Sequence, residues 1–230
     1  LFRLTIVSGE ELAEQASALE QRTITVPGAR GSILDRNGLP LAYSQKSFNV
    51  QFYRDPNKNT AADRAYYTGI IIDTIAIVEN NQGKTVDTFA IRYNGETGEY
   101  YFDFGLKSEQ AAARREVKWR ENMYISVPKS GVPLTPEEIY LTLRNRYQIP
   151  EEMDFAEASK ILSIWQDVQL NSWVAYESIT VAYDVSLQTV SEIKTHSAEL
   201  EGMSIAESTV RVYPRGSVAA HVIGYESRIT

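Results

Sequence analysis

Apolar residues along this chain change period several times, and each change marks an element. Ser8 followed by Glu11 fits a capping box, and Leu12, Ala16 and Leu19 recur at helical spacing, which predicts a helix over about 9–22. Asn37-Gly38 sits between the short apolar runs Ser32–Leu34 and Leu39–Tyr43, and both residues accept positive φ, so residues 30–43 read as a tight hairpin. In Ser47–Tyr53 the residues Phe48, Val50 and Phe52 alternate, the mark of a half-buried strand that ends at Asp55-Pro56. From Ala61 to Asn80 the apolar positions are too dense for a strand and long enough for about five turns of helix.

The second half alternates in the same way. Asp87–Tyr93 and Glu99–Phe104 flank Asn94–Gly98 and predict a second hairpin with a five-residue loop. A helix follows over about 107–122, and Thr135-Pro136 with Glu138 and Asp154 with Glu157 begin helices near 136–147 and 154–168. A strand over about 174–183, a helix over 186–200 stopped by Gly202, and a strand over 203–213 complete the pattern. The predicted class is α+β: a small mixed sheet with flanking helices, formed by 1–56 and 173–230, carrying an inserted helix-rich lobe with a hairpin at 57–172.

Composition narrows the partners. A net charge of −7 removes the positive field that a phosphate backbone requires, so nucleic acid is not an expected partner. The absence of cysteine removes disulfides, thiolate nucleophiles and Cys-rich metal sites, and leaves the compartment open. No run of about 18 apolar residues occurs, so no spanning helix is expected within 1–230. The chain opens at Leu1 with neither a signal peptide nor a cleavage site in its first thirty residues, which reads as a cut end rather than a natural start.

Two segments carry an identification. Residues 30–42 read RGSILDRNGLPLA, and residues 211–225 read RVYPRGSVAAHVIGY. Gly31, Gly38, Gly216 and Gly224 suit tight backbone geometry, while Arg30, Asp35, Arg36, Arg211 and Arg215 offer planar forks and a carboxylate, the parts of an ion-paired clamp. The plainer account of each arginine is a solvated surface charge. In this order the two segments resemble the paired signatures of the N-terminal dimerisation domain of class B penicillin-binding proteins, RGxIxDRNGxxLA and RxYPxGxxAxHxxGY. The resemblance covers the two ends, about half of the chain, and nothing is carried over onto 107–171.

The resemblance implies an extracytoplasmic, non-catalytic pedestal, held to the bacterial membrane by a preceding helix and followed by a C-terminal transpeptidase domain. That absent domain would acylate a serine with D-alanyl-D-alanine stem peptides and be trapped by β-lactams. The implied structural residues are Arg30, Gly31, Asp35, Arg36, Asn37, Gly38, Arg211, Tyr213, Pro214, Gly216, His221 and Gly224. The implied partners are the chain's own transpeptidase domain, a second copy of itself, and other membrane proteins of division or elongation. No cofactor, metal or catalytic residue is expected.

Fragments of transpeptidase chemistry do occur in the sequence. Ser126/Lys129 and Ser191/Lys194 match SxxK, Ser47-Phe48-Asn49 matches SxN, and Lys129-Ser130-Gly131 matches KSG. Their order excludes a common site, because the SxN match precedes both SxxK matches and Lys129 is shared. His196 and His221 lack a second histidine at ligand spacing. Glu137 and Glu138 read as first-turn helix anions rather than an acid and base. Tyr93, Tyr100, Tyr101, Phe102 and Phe104 read as packing, with a sugar-stacking face as the alternative. A ligand-binding or sensor module on the same pedestal fold is the rival reading of the whole chain, and an acidic hydrolase using Glu137 ranks below it.

Overall fold

The computed structural model describes residues 30–129, 131–172, 178–218 and 220–224. The helix expected over 9–22 and the first part of the strand expected over 174–183 lie outside them. The chain divides into two compact units, one of residues 1–44 and 212–230, the other of residues 45–211.

In the smaller unit, β1 (Ile33–Leu34) pairs antiparallel with the start of β2 (Pro40–Phe52), Ile33 facing Ala42 and Leu34 facing Pro40. This is the hairpin expected from Asn37-Gly38, with one difference in its turn. Only Gly38 adopts positive φ, at +79°, while its amide donates to the Asp35 carbonyl at 3.0 Å. Asn37 keeps ordinary backbone because the Asp35 carboxylate already binds its amide, at 2.8 Å.

The rest of β2 enters the larger unit, where Val50, Gln51 and Phe52 pair antiparallel with β5 (Ile179–Ala182) and where β6 (Met203–Val212) also pairs with β2. Val50 and Phe52 are buried, as the alternation requires. Beyond β2 comes α1 (Ala61–Asn80), which begins on a reciprocal capping box between Thr60 and Asp63. It buries Tyr67, Ile70, Ile71, Ile75 and Val78.

The second hairpin is β3 (Ile91–Asn94) with β4 (Glu99–Phe102), Asn94 Oδ1 capping the turn through the amides of Glu96 and Thr97. Its first strand starts four residues later than the expected Asp87. Thr85 bridges Ala182 and the Val86 amide donates to the Val181 carbonyl at 2.8 Å, so the preceding segment is spent on β5. Helices α2 (Glu109–Asn122), α3 (Pro136–Arg146) and α4 (Phe155–Leu170) follow close to the expected bounds. Thr135 with Glu138 and Asp154 with Glu157 form the two capping boxes from which those starts were read. The next helix, α5, covers Leu187–Thr195, shorter than the expected 186–200, because His196 to Leu200 close into turns.

One core fills the larger unit. Trp165 is 1% exposed, stacks on Tyr147 with ring centroids 4.6 Å apart, and donates to Thr68 Oγ1 at 3.0 Å. Buried Gln166 accepts from the Ala90 amide and Trp119 Nε1 and donates to the Thr88 carbonyl, so α4 holds the approach to β3 with every amide group engaged. Gly202 closes the unit at φ +84°, its carbonyl accepting from the Tyr53 amide at 2.8 Å. A Cβ there would stand 2.3 Å from the Tyr53 carbonyl oxygen, which is why only glycine fits. Among the described residues no helix is long and apolar enough to cross a membrane.

Candidate functional site

The two sequence signatures meet on Asp35. Its Oδ1 accepts from the Asn37 amide at 2.8 Å and the Leu39 amide at 2.9 Å, an Asx turn laid over the backbone turn of the hairpin. Its Oδ2 lies 3.7 Å from Arg215 Nη1, with the Asp35 side chain 20% exposed and the Arg215 side chain 44% exposed. A pair this open is worth little as stability, and its content is orientation. The Leu39 amide bond holds the Asp35 carboxyl below its ordinary value; desolvation opposes it, and the Asn37 amide and Arg215 add to it.

Arg215 is placed by its own turn. β6 ends at Val212, and the Gly216 amide then donates to the Tyr213 carbonyl at 3.0 Å, closing a turn over Pro214-Arg215. Val218 returns a bond to the Arg215 carbonyl at 3.2 Å, and a single helical turn, α6 (Ala220–Ile223), follows. Gly216 at φ +57° and Gly224 at φ +71° are both left-handed, and Gly224 caps α6 by donating to the Ala220 carbonyl. Arg30 and Gly31 lie exposed ahead of β1, Arg36 and Asn37 are exposed on the hairpin turn, and His221 is exposed on α6. Arg211 is half-buried on β6, the last residue of the larger unit. Both signature segments also expose apolar side chains: Ile33, Leu34 and Leu39 on the hairpin, Tyr213 and Val218 on the second segment.

The remaining candidates take up structural bonds. Ser47 Oγ, buried, donates to Asp184 Oδ1 at 2.7 Å, and the Asp184 amide donates to Asn49 Oδ1 at 3.1 Å. The SxN match therefore ties β2 to the turn before α5. Asp184 is left-handed at φ +50°, a strain this pair of bonds holds in place and which no sequence pattern signalled. Ser191 Oγ donates to the Leu187 carbonyl one turn back, while Ser126 and Lys129 are exposed on the segment after α2.

Glu138 is bound to the Thr135 amide and hydroxyl, and those bonds hold its carboxyl low; Glu137 lies in the same first turn of α3. His196 Nδ1 lies 3.0 Å from Glu199 Oε2 on the surface. Among the described residues no group of three His, Cys, Asp or Glu is arranged to hold a metal. Tyr100 packs between Tyr93, Tyr140 and Phe155, and Phe102 between Phe104 and Trp119, while Tyr101 is exposed. The hairpin aromatics are thus largely packing.

Residues 25–230 match the model of the penicillin-binding protein dimerisation domain. Similar solved structures include penicillin-binding protein 2B of Streptococcus pneumoniae strain 5204, at 20% identity and TM-score 0.41, covering 88% of this chain and 28% of that one. The same protein from strain R6 is similar at 20% identity and TM-score 0.39, with the same coverage. The chain thus spans little more than a quarter of the length of those proteins.

Proposed function

The chain belongs to the penicillin-binding protein dimerisation domain family, and from that premise we propose that it is the extracytoplasmic, non-catalytic pedestal of a class B penicillin-binding protein. Its task is to present and orient a C-terminal peptidoglycan transpeptidase domain above the membrane that anchors it. In this reading residues 1–56 and 173–230 are the base and 57–172 an inserted head. Self-association and contacts with other membrane proteins of division or elongation belong to the same proposal.

The carrying observation is the Asp35–Arg215 pair, which joins two segments at opposite ends of the sequence. A bond that contributes little to the chain itself matters more once a second domain covers it, because losing one partner then leaves the other charge unpaired and out of water. The exposed apolar residues Ile33, Leu34, Leu39, Tyr213 and Val218 give such a domain dry contact area on the same two segments.

The test uses Asp35→Ala in two proteins, this 230-residue chain and the longer protein with its downstream domain. The expected result is about 1 kcal/mol of lost stability in the chain and a larger loss in the longer protein. Equal losses would sink the interdomain role. Fluorescent penicillin should label the longer protein covalently and leave the 230-residue chain unlabelled; labelling of the chain would overturn its non-catalytic assignment.

A further inference from the structure

Three arginines of the larger unit converge on acceptors that are all neutral. Arg54 Nη1 donates to Asn59 Oδ1 at 3.0 Å, and Arg64 Nη1 donates to the carbonyl of the same Asn59 at 2.9 Å. Arg64 Nε then donates to the Arg146 carbonyl at 3.0 Å, while Arg146 itself reaches the Met123 and Tyr124 carbonyls at 2.6 and 3.2 Å. These bonds fix where the guanidinium groups stand and do nothing to discharge them.

The ion pairs formed among the described residues engage Lys46, Lys58, Arg92, Arg120, Lys160, His196 and Arg215, none of the three. Asp63, one residue from Arg64, has its Oδ2 committed to the Thr60 amide and hydroxyl. All three charges act on one phenol: burial pushes Tyr147 up, against the combined pull of Arg146, Arg54 and Arg64. Arg54 Nε is buried with no partner, and Arg54 Nη2 and Arg64 Nη2 donate to no described residue.

A chain of net charge −7 has carboxylates to spare, yet among the described residues none forms an ion pair with these three arginines, and Asp63 acts on Arg64 only through its field. A guanidinium is weakly hydrated, planar, and matched to the two oxygens of a carboxylate or phosphate. Three of them held half-buried on rigid backbone acceptors are preorganised for such a group, with the ordering cost met by the fold. We propose that Arg54, Arg64 and Arg146 form an oxyanion-binding site, in which Arg54 and Arg64 clasp a carboxylate or phosphate group and Arg146 supplies further positive field. The site lies wholly within residues 45–211 and does not rest on the pedestal reading.

The test follows the arginine Nε–H resonances of the 230-residue chain, labelled with ¹⁵N-arginine, at fixed ionic strength. One arm titrates inorganic phosphate, a second a capped triglutamate peptide, and a third chloride. The expected result is saturable shifts at Arg54 and Arg64 with phosphate or the peptide, absent with chloride, and weakened about tenfold by Arg54→Gln. Saturation by phosphate alone assigns a tetrahedral anion, and by the peptide alone a carboxylate; either supports the site. Linear shifts that match chloride overturn it, as do saturable shifts that survive Arg54→Gln. If circular dichroism shows that Arg54→Gln does not fold, Arg54→Lys replaces it, keeping the charge and losing the fork; affinity undiminished in that variant equally overturns the proposal.

Discussion

Asp35 in the smaller unit and Gln166 in the larger one make the same kind of bond in opposite surroundings. Each accepts two N–H groups through a single side-chain oxygen, Asp35 fixing the turn of one hairpin and Gln166 the approach to the other. Asp35 does this on an exposed turn; Gln166 does it 4% exposed, packed under Trp119. Water can replace the first set of bonds at small cost and cannot reach the second. The buried core cluster, from Val50 to Leu200, lies entirely in the larger unit. The residues that identify the chain therefore shape a surface, and the residues without any signature hold the fold together.

The largest expected effect tests the interior side of that contrast. Trp165→Ala removes a stacked ring and a satisfied N–H from the core and should cost ~3–5 kcal/mol in urea unfolding followed by far-ultraviolet circular dichroism. A loss below about 1 kcal/mol would mean that the core is not where stability resides. The next compares two left-handed glycines. Gly202→Ala meets the Tyr53 carbonyl at 2.3 Å, whereas a Cβ on Gly38 meets nothing within 4 Å. Gly38→Ala should cost only the backbone term of ~1–2 kcal/mol, and Gly202→Ala distinctly more; equal costs would erase the difference between the two units.

The smallest effect concerns the charge on Asp35. Its folded value is depressed, so its contribution to stability is complete above the ordinary aspartate value and is lost as the pH falls through the depressed one. The Asn37 and Leu39 amide shifts should titrate together with a midpoint below 3.8. A midpoint at or above that value would show that the turn bonds do not favour the charged carboxylate.

Much of the fold was legible because it is encoded locally. Thr135-Pro136 with Glu138, and Asp154 with Glu157, announce their helices within four residues, and the structure forms both capping boxes. The turn at Gly38 and the alternation of Phe48, Val50 and Phe52 are equally short-range signals. What sequence reading missed depends on distance along the chain. The strand expected from Asp87 is shortened by a pairing with Val181 and Ala182 that no window around residue 87 contains. The arginine cluster was invisible for the same reason, and for a second one: its partners are backbone carbonyls, which carry no residue identity. Helix α2 shows the converse, since its bounds were readable although only Trp119 of it is buried.

The pairing of Val50 with Ala182 also sets an order of events during synthesis. Helices α1, α3 and α4, each begun by its own capping box, can nucleate as soon as their residues emerge. The sheet has no such freedom, because β2 waits for β5 and β6 to be made before its edges are covered. Until then the nascent chain carries Val50 and Phe52 on an unpaired strand, an open template for association with another chain. Strand β2 therefore depends on strands made much later to cover it, so truncation near residue 178 should yield aggregate rather than a smaller folded piece.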